Sequence, residues 1–95
     1  MEIRKSDIVR AEAGRDKGKL FFVIETDGMF AQIANGKQRR LERPKSKKLK
    51  HLCYFCESDC RTGEKLRSGE KVTNNDLRRA LASYNAEPDG VKGGM

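Results

Sequence analysis

Three groups of residues have the types and spacing to do chemistry. The first is His51-Leu52-Cys53-Tyr54-Phe55-Cys56-Glu57-Ser58-Asp59-Cys60. Cys53 and Cys56 have the Cys-x-x-Cys spacing that lets two thiolates chelate one zinc, and Cys60 or His51 can supply further ligands. A zinc ribbon requires a second spaced pair, which the sequence lacks, and His51 lies only two residues from Cys53. Three cysteines cannot all pair within one chain, and a reducing cytoplasm disfavours disulfides. Metal binding, a redox pair and incidental thiols all remain readings of this segment, and incidental thiols are the expectation. Tyr54 and Phe55 read as local packing rather than base-stacking platforms. Catalysis finds little support, because His51 is the single histidine and has no nucleophile with an orienting acid at a usable spacing. The chain is not expected to be an enzyme.

The second group is Gly14-Arg15-Asp16-Lys17-Gly18-Lys19-Leu20. A glycine-rich loop ending in Gly-Lys invites a nucleotide-binding reading. A phosphate-binding P-loop needs four residues between its glycines, a Ser or Thr after the lysine, and a following helix. This loop has three, then a leucine, then a strand-like run, so nucleotide chemistry is not expected. The third group is the block from Lys37 to Lys50, which holds Lys37, Arg39, Arg40, Arg43, Lys45, Lys47, Lys48 and Lys50 against one acid, Glu42. That stretch alone carries +7, the net charge of the whole chain (21 Lys and Arg against 14 Asp and Glu), so the remaining residues are neutral on balance. A concentrated block of one sign is what a polyanion partner, most often nucleic acid, calls for, because phosphate contacts release counterions.

The elements that must position these groups are small. Ninety-five residues, 36% hydrophobic against 37% charged, allow one modest core and exclude a two-domain enzyme. The sequence has no apolar run near the roughly 20 residues of a membrane span and no signal-peptide stretch after Met1-Glu2-Ile3-Arg4-Lys5, which leads us to expect a cytoplasmic protein without membrane contact. Asp7 to Ala11 alternates, with Val9 and Ala11 on one face. Leu20-Phe21-Phe22-Val23-Ile24 reads as a strand buried on both faces. Asp27-Gly28 and Asn35-Gly36 are hairpin dipeptides on either side of Met29 to Ala34, so a meander running on through Lys37 to Leu41 is expected. Pro44 ends that region, and Lys45 to Lys50 reads as a strand edge or an extended arm. Residues 53–72 read as a polar connector. Thr73 with Asp76 forms a capping box for a helix over 74–84, with Leu77, Ala80, Leu81 and Tyr84 on one face and Arg78 and Arg79 solvated off it. Residues 85–95, with Pro88 and three glycines, are expected to be a flexible tail.

The stretch Asp7 to Ile24, with Gly18 at the position of a nearly invariant glycine, resembles the KOW motif of ribosomal proteins and transcription elongation factors. The continuation through Asp27-Gly28, the strand to Ala34 and Arg39-Arg40-Leu41-Glu42-Arg43-Pro44-Lys45 looks like the small KOW-domain RNA-binding proteins related to eukaryote-type large-subunit ribosomal proteins. The resemblance covers about residues 5–52. It implies a mainly β fold, a small SH3-like barrel over 1–52 with an appended C-terminal helix, binding RNA, commonly ribosomal RNA. Carried over by position, the first loop contributes Arg15, Lys17 and Lys19, with Gly18 as the residue that shapes it. The cysteine-bearing segment departs from the family pattern.

These observations together lead us to expect a monomeric, ribosome-associated RNA-binding module that anchors phosphates through the first loop and the 37–50 arm, without a cofactor. The rival reading is a protein-interaction module of the translation or transcription machinery, with the arm meeting an acidic surface on a ribosomal or transcription protein. A metal or redox protein built on the cysteines comes third.

Overall fold

The apolar run at residues 20–24 is the centre of the molecule, and it is central because both of its faces are covered. In a computed structural model describing residues 2–58 and 60–93, with side chains described as far as Tyr84, five strands form one antiparallel sheet. They are β1 (Ile8–Ala11), β2 (Leu20–Asp27), β3 (Phe30–Ala34), β4 (Lys45–Lys48) and β5 (Leu52–Cys56), in the order β4-β3-β2-β1-β5. Two helices follow, α1 (Arg61–Ser68) and α2 (Asn74–Gly93).

Alternation divides the core. Val9, Ala11, Phe21, Val23, Ala31, Ile33 and Leu52 form a cluster on one face, which we call the inner face. Ile8, Leu20, Phe22 and Ala34 occupy the outer face and pack with Leu66 of α1 and Leu77 and Leu81 of α2. Phe21 and Phe22 are both fully buried, one in each cluster, as expected for a strand covered on both sides.

The sheet is strongly curled. Only the 3-10 turn Leu49–His51 separates β4 from β5, yet these strands lie at opposite edges of the sheet. A flat sheet would hold the edges about 19 Å apart, while the four steps from Lys48 to Leu52 reach at most about 14 Å when fully extended. The curl brings the edges near one another at that end and wraps the inner cluster. The edges are not hydrogen-bonded to each other, so the sheet is not closed.

Several expectations change. The β2–β3 hairpin does fall at Asp27-Gly28, but Asp27 pairs with Phe30, so its two turn residues are Gly28 and Met29. Gly28 has φ +78 while Met29 does not take positive φ, which is the pattern of a type II′ turn with glycine first. Asn35-Gly36 makes no hairpin, and Lys37 to Leu41 is not a strand. The buried Asn35 side chain accepts hydrogen bonds from the backbone of Lys37 and Arg39 (3.0 Å each) and closes the loop on itself, the local competition that asparagine offers to a ladder. The fourth strand is instead the edge strand β4, paired to β3 from Phe30↔Lys48 to Ile33↔Lys45. Lysines suit such an edge because their charge discourages pairing with another chain.

The connector expected at 53–72 contains β5 and α1. Leu52, Tyr54 and Cys56 pair with β1, so the sheet extends past the boundary at residue 52. With Leu66 as its only buried large apolar side chain, α1 leaves little periodicity to read. Its Gly63 marks a close approach, since a methyl group there would collide with Ser58 Oγ. The helix expected over 74–84 begins where predicted. Thr73 Oγ1 accepts from the Asp76 amide and Asp76 Oδ2 from the Thr73 amide (3.1 Å each), completing the capping box. Its backbone continues as helix to Gly93, beyond Tyr84, since glycines weaken a helix without necessarily ending it. Within the region expected to be a flexible tail, the side chains from Asn85 onward, and Gly94 and Met95 altogether, lie outside the described residues.

Candidate nucleic-acid interface

The loop joining β1 to β2 is a closed unit. The Ala11 amide donates to Lys19 O (3.0 Å) and the Gly18 amide to Ala11 O (2.8 Å), with Gly18 at φ +89, a conformation that side chains oppose. Nothing lies within 4 Å of where a Gly18 Cβ would sit, so its backbone angle alone calls for glycine. Arg15, Lys17 and Lys19 are exposed on this loop and make no side-chain hydrogen bond or ion pair among the described residues.

The basic segment 37–50 comes to the same loop, and two contacts fix it there. Asp16 is buried, and its Oδ2 accepts from Arg39 Nε (2.9 Å) and Nη2 (2.9 Å). Lys47 Nζ donates to Ala13 O (3.0 Å). Arg39 and Lys47, both expected to meet RNA, thus serve first to join the two basic segments. A buried carboxylate without such a partner would carry a large desolvation cost. The remaining cations, Lys37, Arg40, Arg43, Lys45, Lys48 and Lys50, are exposed.

The single acid in the block is tied to α2. Glu42 Oε1 accepts from Asn74 Nδ2 (2.7 Å), and that hydrogen bond holds its carboxyl below the usual value. Asn74 Oδ1 also accepts from the Leu41 amide (2.8 Å), so one residue in the first turn of α2 secures the loop. Arg78, expected to be simply solvated, donates to Gly36 O (2.6 Å). Gln38, Arg39, Arg40, Glu42 and Arg43 together line a concavity of about 540 Å³ whose charge favours an anion. Asp16, Asn35, Asn74 and Arg78 were not singled out from sequence as parts of this region. The one readable signal was Asp16 itself, an acid within an otherwise basic loop.

The cysteine segment assembles differently. Cys53 pairs with Arg10 and is exposed, while Cys56 pairs with Ile8 and packs against the outer-face cluster. The register shifts between these pairs, so Phe55 has no partner on β1, and its ring meets Tyr84 edge-on at 6.4 Å and 86°. That contact agrees with packing as the reading of Phe55. His51 is half-buried, and its carbonyl accepts from the Glu12 amide (2.9 Å). Among the described residues, no three His, Cys, Asp or Glu side chains are gathered closely enough to hold a metal ion, so His51, Cys53, Cys56 and Cys60 do not come together as a site. The bulge leaves Cys53 and Cys56 beside Arg10 and Ile8, which lie on one face of β1, but the extended strand holds them apart and Cys53 open to solvent while Cys56 packs against the outer-face cluster.

No helix among the described residues is long and apolar enough to cross a membrane. No family model matches this chain, and no curated protein does.

Proposed function

We propose that this chain is an RNA-binding module whose sheet is a small barrel of the SH3-like, KOW type, and that it binds RNA of the ribosomal or another structured kind. The observation that carries the reading is the junction of the two basic segments through Arg39–Asp16 and Lys47–Ala13. It joins the loop that carries Arg15, Lys17 and Lys19 to the segment that carries Arg40, Arg43 and Lys45, while Glu42 is hydrogen-bonded to Asn74 of α2. The curled five-stranded sheet, with its edges linked by one short turn, supports the barrel reading.

In this mechanism Arg40 and Arg43 take phosphate oxygens through forked guanidinium contacts, and the lysines act as point charges along the backbone. Recognition is of RNA shape, which phosphate and 2′-hydroxyl contacts report, and no catalytic step is assigned. The test is fluorescence anisotropy with a labelled RNA hairpin over a salt series. Wild-type affinity should fall steeply with salt, and R40E/R43E should lower it at least about tenfold while flattening the slope by roughly one unit per lost contact. Equal affinity of wild type and R40E/R43E at every salt would remove this surface from the account. Sedimentation of lysate with and without RNase separates RNA from a protein partner, because only an RNA-held complex disperses on nuclease treatment.

A further inference from the structure

The helices cover only part of the outer face. They pack over Ile8, Leu20, Phe22 and Ala34, and the same pleat then continues uncovered along β3 to Gln32 and Phe30. Directly paired residues share a face. The register therefore places Asp27, Phe30 and Lys48 in one row across three strands, and Glu25, Gln32 and Ser46 in the next. Phe30 is 36% exposed, and among the described residues its ring has no aromatic partner, in contrast to Phe55, which meets Tyr84. Glu25 already faces Lys5 at 3.7 Å.

We infer that this open end of the sheet is a stacking platform for one unpaired nucleotide of RNA, with the base on Phe30 and its phosphate toward Lys48. The inference rests on the RNA-binding reading above and adds a distinct class of contact to it. An exposed ring flanked by a cation is the combination that binds single-stranded nucleic acid, since every base offers a π face and every nucleotide a phosphate. The charge pattern orients the strand. Asp27 on the β2 side repels phosphate, while Lys48 on the edge strand attracts it, so the phosphate lies on the β4 side and the base lies inward over Phe30. Gln32 and Ser46, in the adjacent row, present an amide and a hydroxyl to the base edge. A platform of this kind distinguishes unpaired from duplex RNA, because a base inside a helix offers no free face.

The experiment compares wild type, F30A, F30Y and K48A for binding a labelled unstructured RNA 12-mer and a blunt RNA duplex. F30A should weaken binding of the 12-mer roughly 5- to 30-fold and leave duplex binding unchanged. F30Y should restore most of the 12-mer affinity, since it keeps the ring, and K48A should flatten the salt slope for the 12-mer by roughly one unit. Thermal unfolding of F30A at the wild-type midpoint excludes a folding defect. Binding of the 12-mer by wild type and F30A with equal affinity overturns the platform alone and leaves the face to a protein partner. Equal losses for the 12-mer and the duplex also overturn it, and failure of wild type to bind either RNA overturns the broader reading along with it.

Discussion

One face of one sheet meets two fates in this molecule. At its covered end Ile8, Phe22 and Ala34 lie under Leu66, Leu77 and Leu81; at its open end Phe30, Gln32, Ser46 and Lys48 meet solvent. Along β3 the pleat is continuous between them, although β2 carries a bulge between Val23 and Glu25, so the alternation of β3 does not decide the difference. The helices decide it, and their placement is set by polar contacts at the margin. Asn74 holds Leu41 and Glu42, Arg78 holds Gly36 O, and Arg67 Nη1 reaches Ser6 Oγ (3.0 Å) and Ser58 O (2.9 Å). The covered end therefore carries stability, and the open end is left to solvent.

The largest expected effect breaks the covered end. Leu77 is fully buried, and L77A should cost about 2–5 kcal/mol in denaturant unfolding through lost transfer energy and the cavity left behind. A loss below 1 kcal/mol would mean that α2 is not needed to cover the sheet. Next comes the junction of the two basic segments. R39A should cost about 2 kcal/mol because it strands the buried Asp16 carboxylate, whereas R40A, at an exposed neighbour, should stay within about 0.5 kcal/mol. Equal unfolding midpoints for the two variants would show that Arg39 is no more structural than Arg40.

The helix cap follows. T73A removes one half of the capping box and should cost about 1 kcal/mol. Asp76 adds a pH dependence, since its hydrogen bond from the Thr73 amide holds its carboxyl below the ordinary value of 3.8. A lowered folded-state value stabilises the fold above the ordinary value, and the benefit is lost as pH falls through the folded one. D76N should therefore be less stable than wild type at pH 7 and should converge with it as acid protonates the wild-type carboxyl. A gap that persists at low pH would assign the effect to helix propensity. Asp7 acts with the opposite sign. Burial raises its carboxyl, and the nearby Glu57 adds to the rise, while the Arg4 amide and the charges of Arg4 and Arg67 oppose it. Its contribution is most favourable below 3.8 and declines as pH rises through the folded value, so a D7N variant should gain on wild type at neutral pH. The smallest effect belongs to the open end, where the double variant F30A/Q32A should unfold within about 0.5 kcal/mol of wild type. A larger loss would make those residues part of the core and sharpen the contrast in the other direction.

Much of this architecture is legible in local pattern. The doubly buried β2, the hairpin near Gly28, the edge character of Lys45 to Lys50, the Thr73–Asp76 cap and the Leu77–Leu81 stripe each follow from residues close together in sequence. The basic segments are legible too, as charge, because charge needs no fold to be counted. What escaped was set by contacts across the chain. Leu52 to Cys56 has an unremarkable pattern and is a strand because β1 has an edge to fill, and Arg61 to Ser68 is a helix that depends on Gly63 fitting against Ser58. Asn35-Gly36 carries a hairpin dipeptide, yet a buried side chain and the docked α2 hold it as a loop.

The sequence by itself determined where apolar periodicity, turns, caps and charge would lie, since these depend on neighbours within a few residues. Only the tertiary structure decided which cations are used up in holding the molecule together and which aromatic ring is left uncovered. Arg39 and Arg40 are adjacent and chemically identical, and their roles diverge because one of them reaches a buried carboxylate 23 residues away.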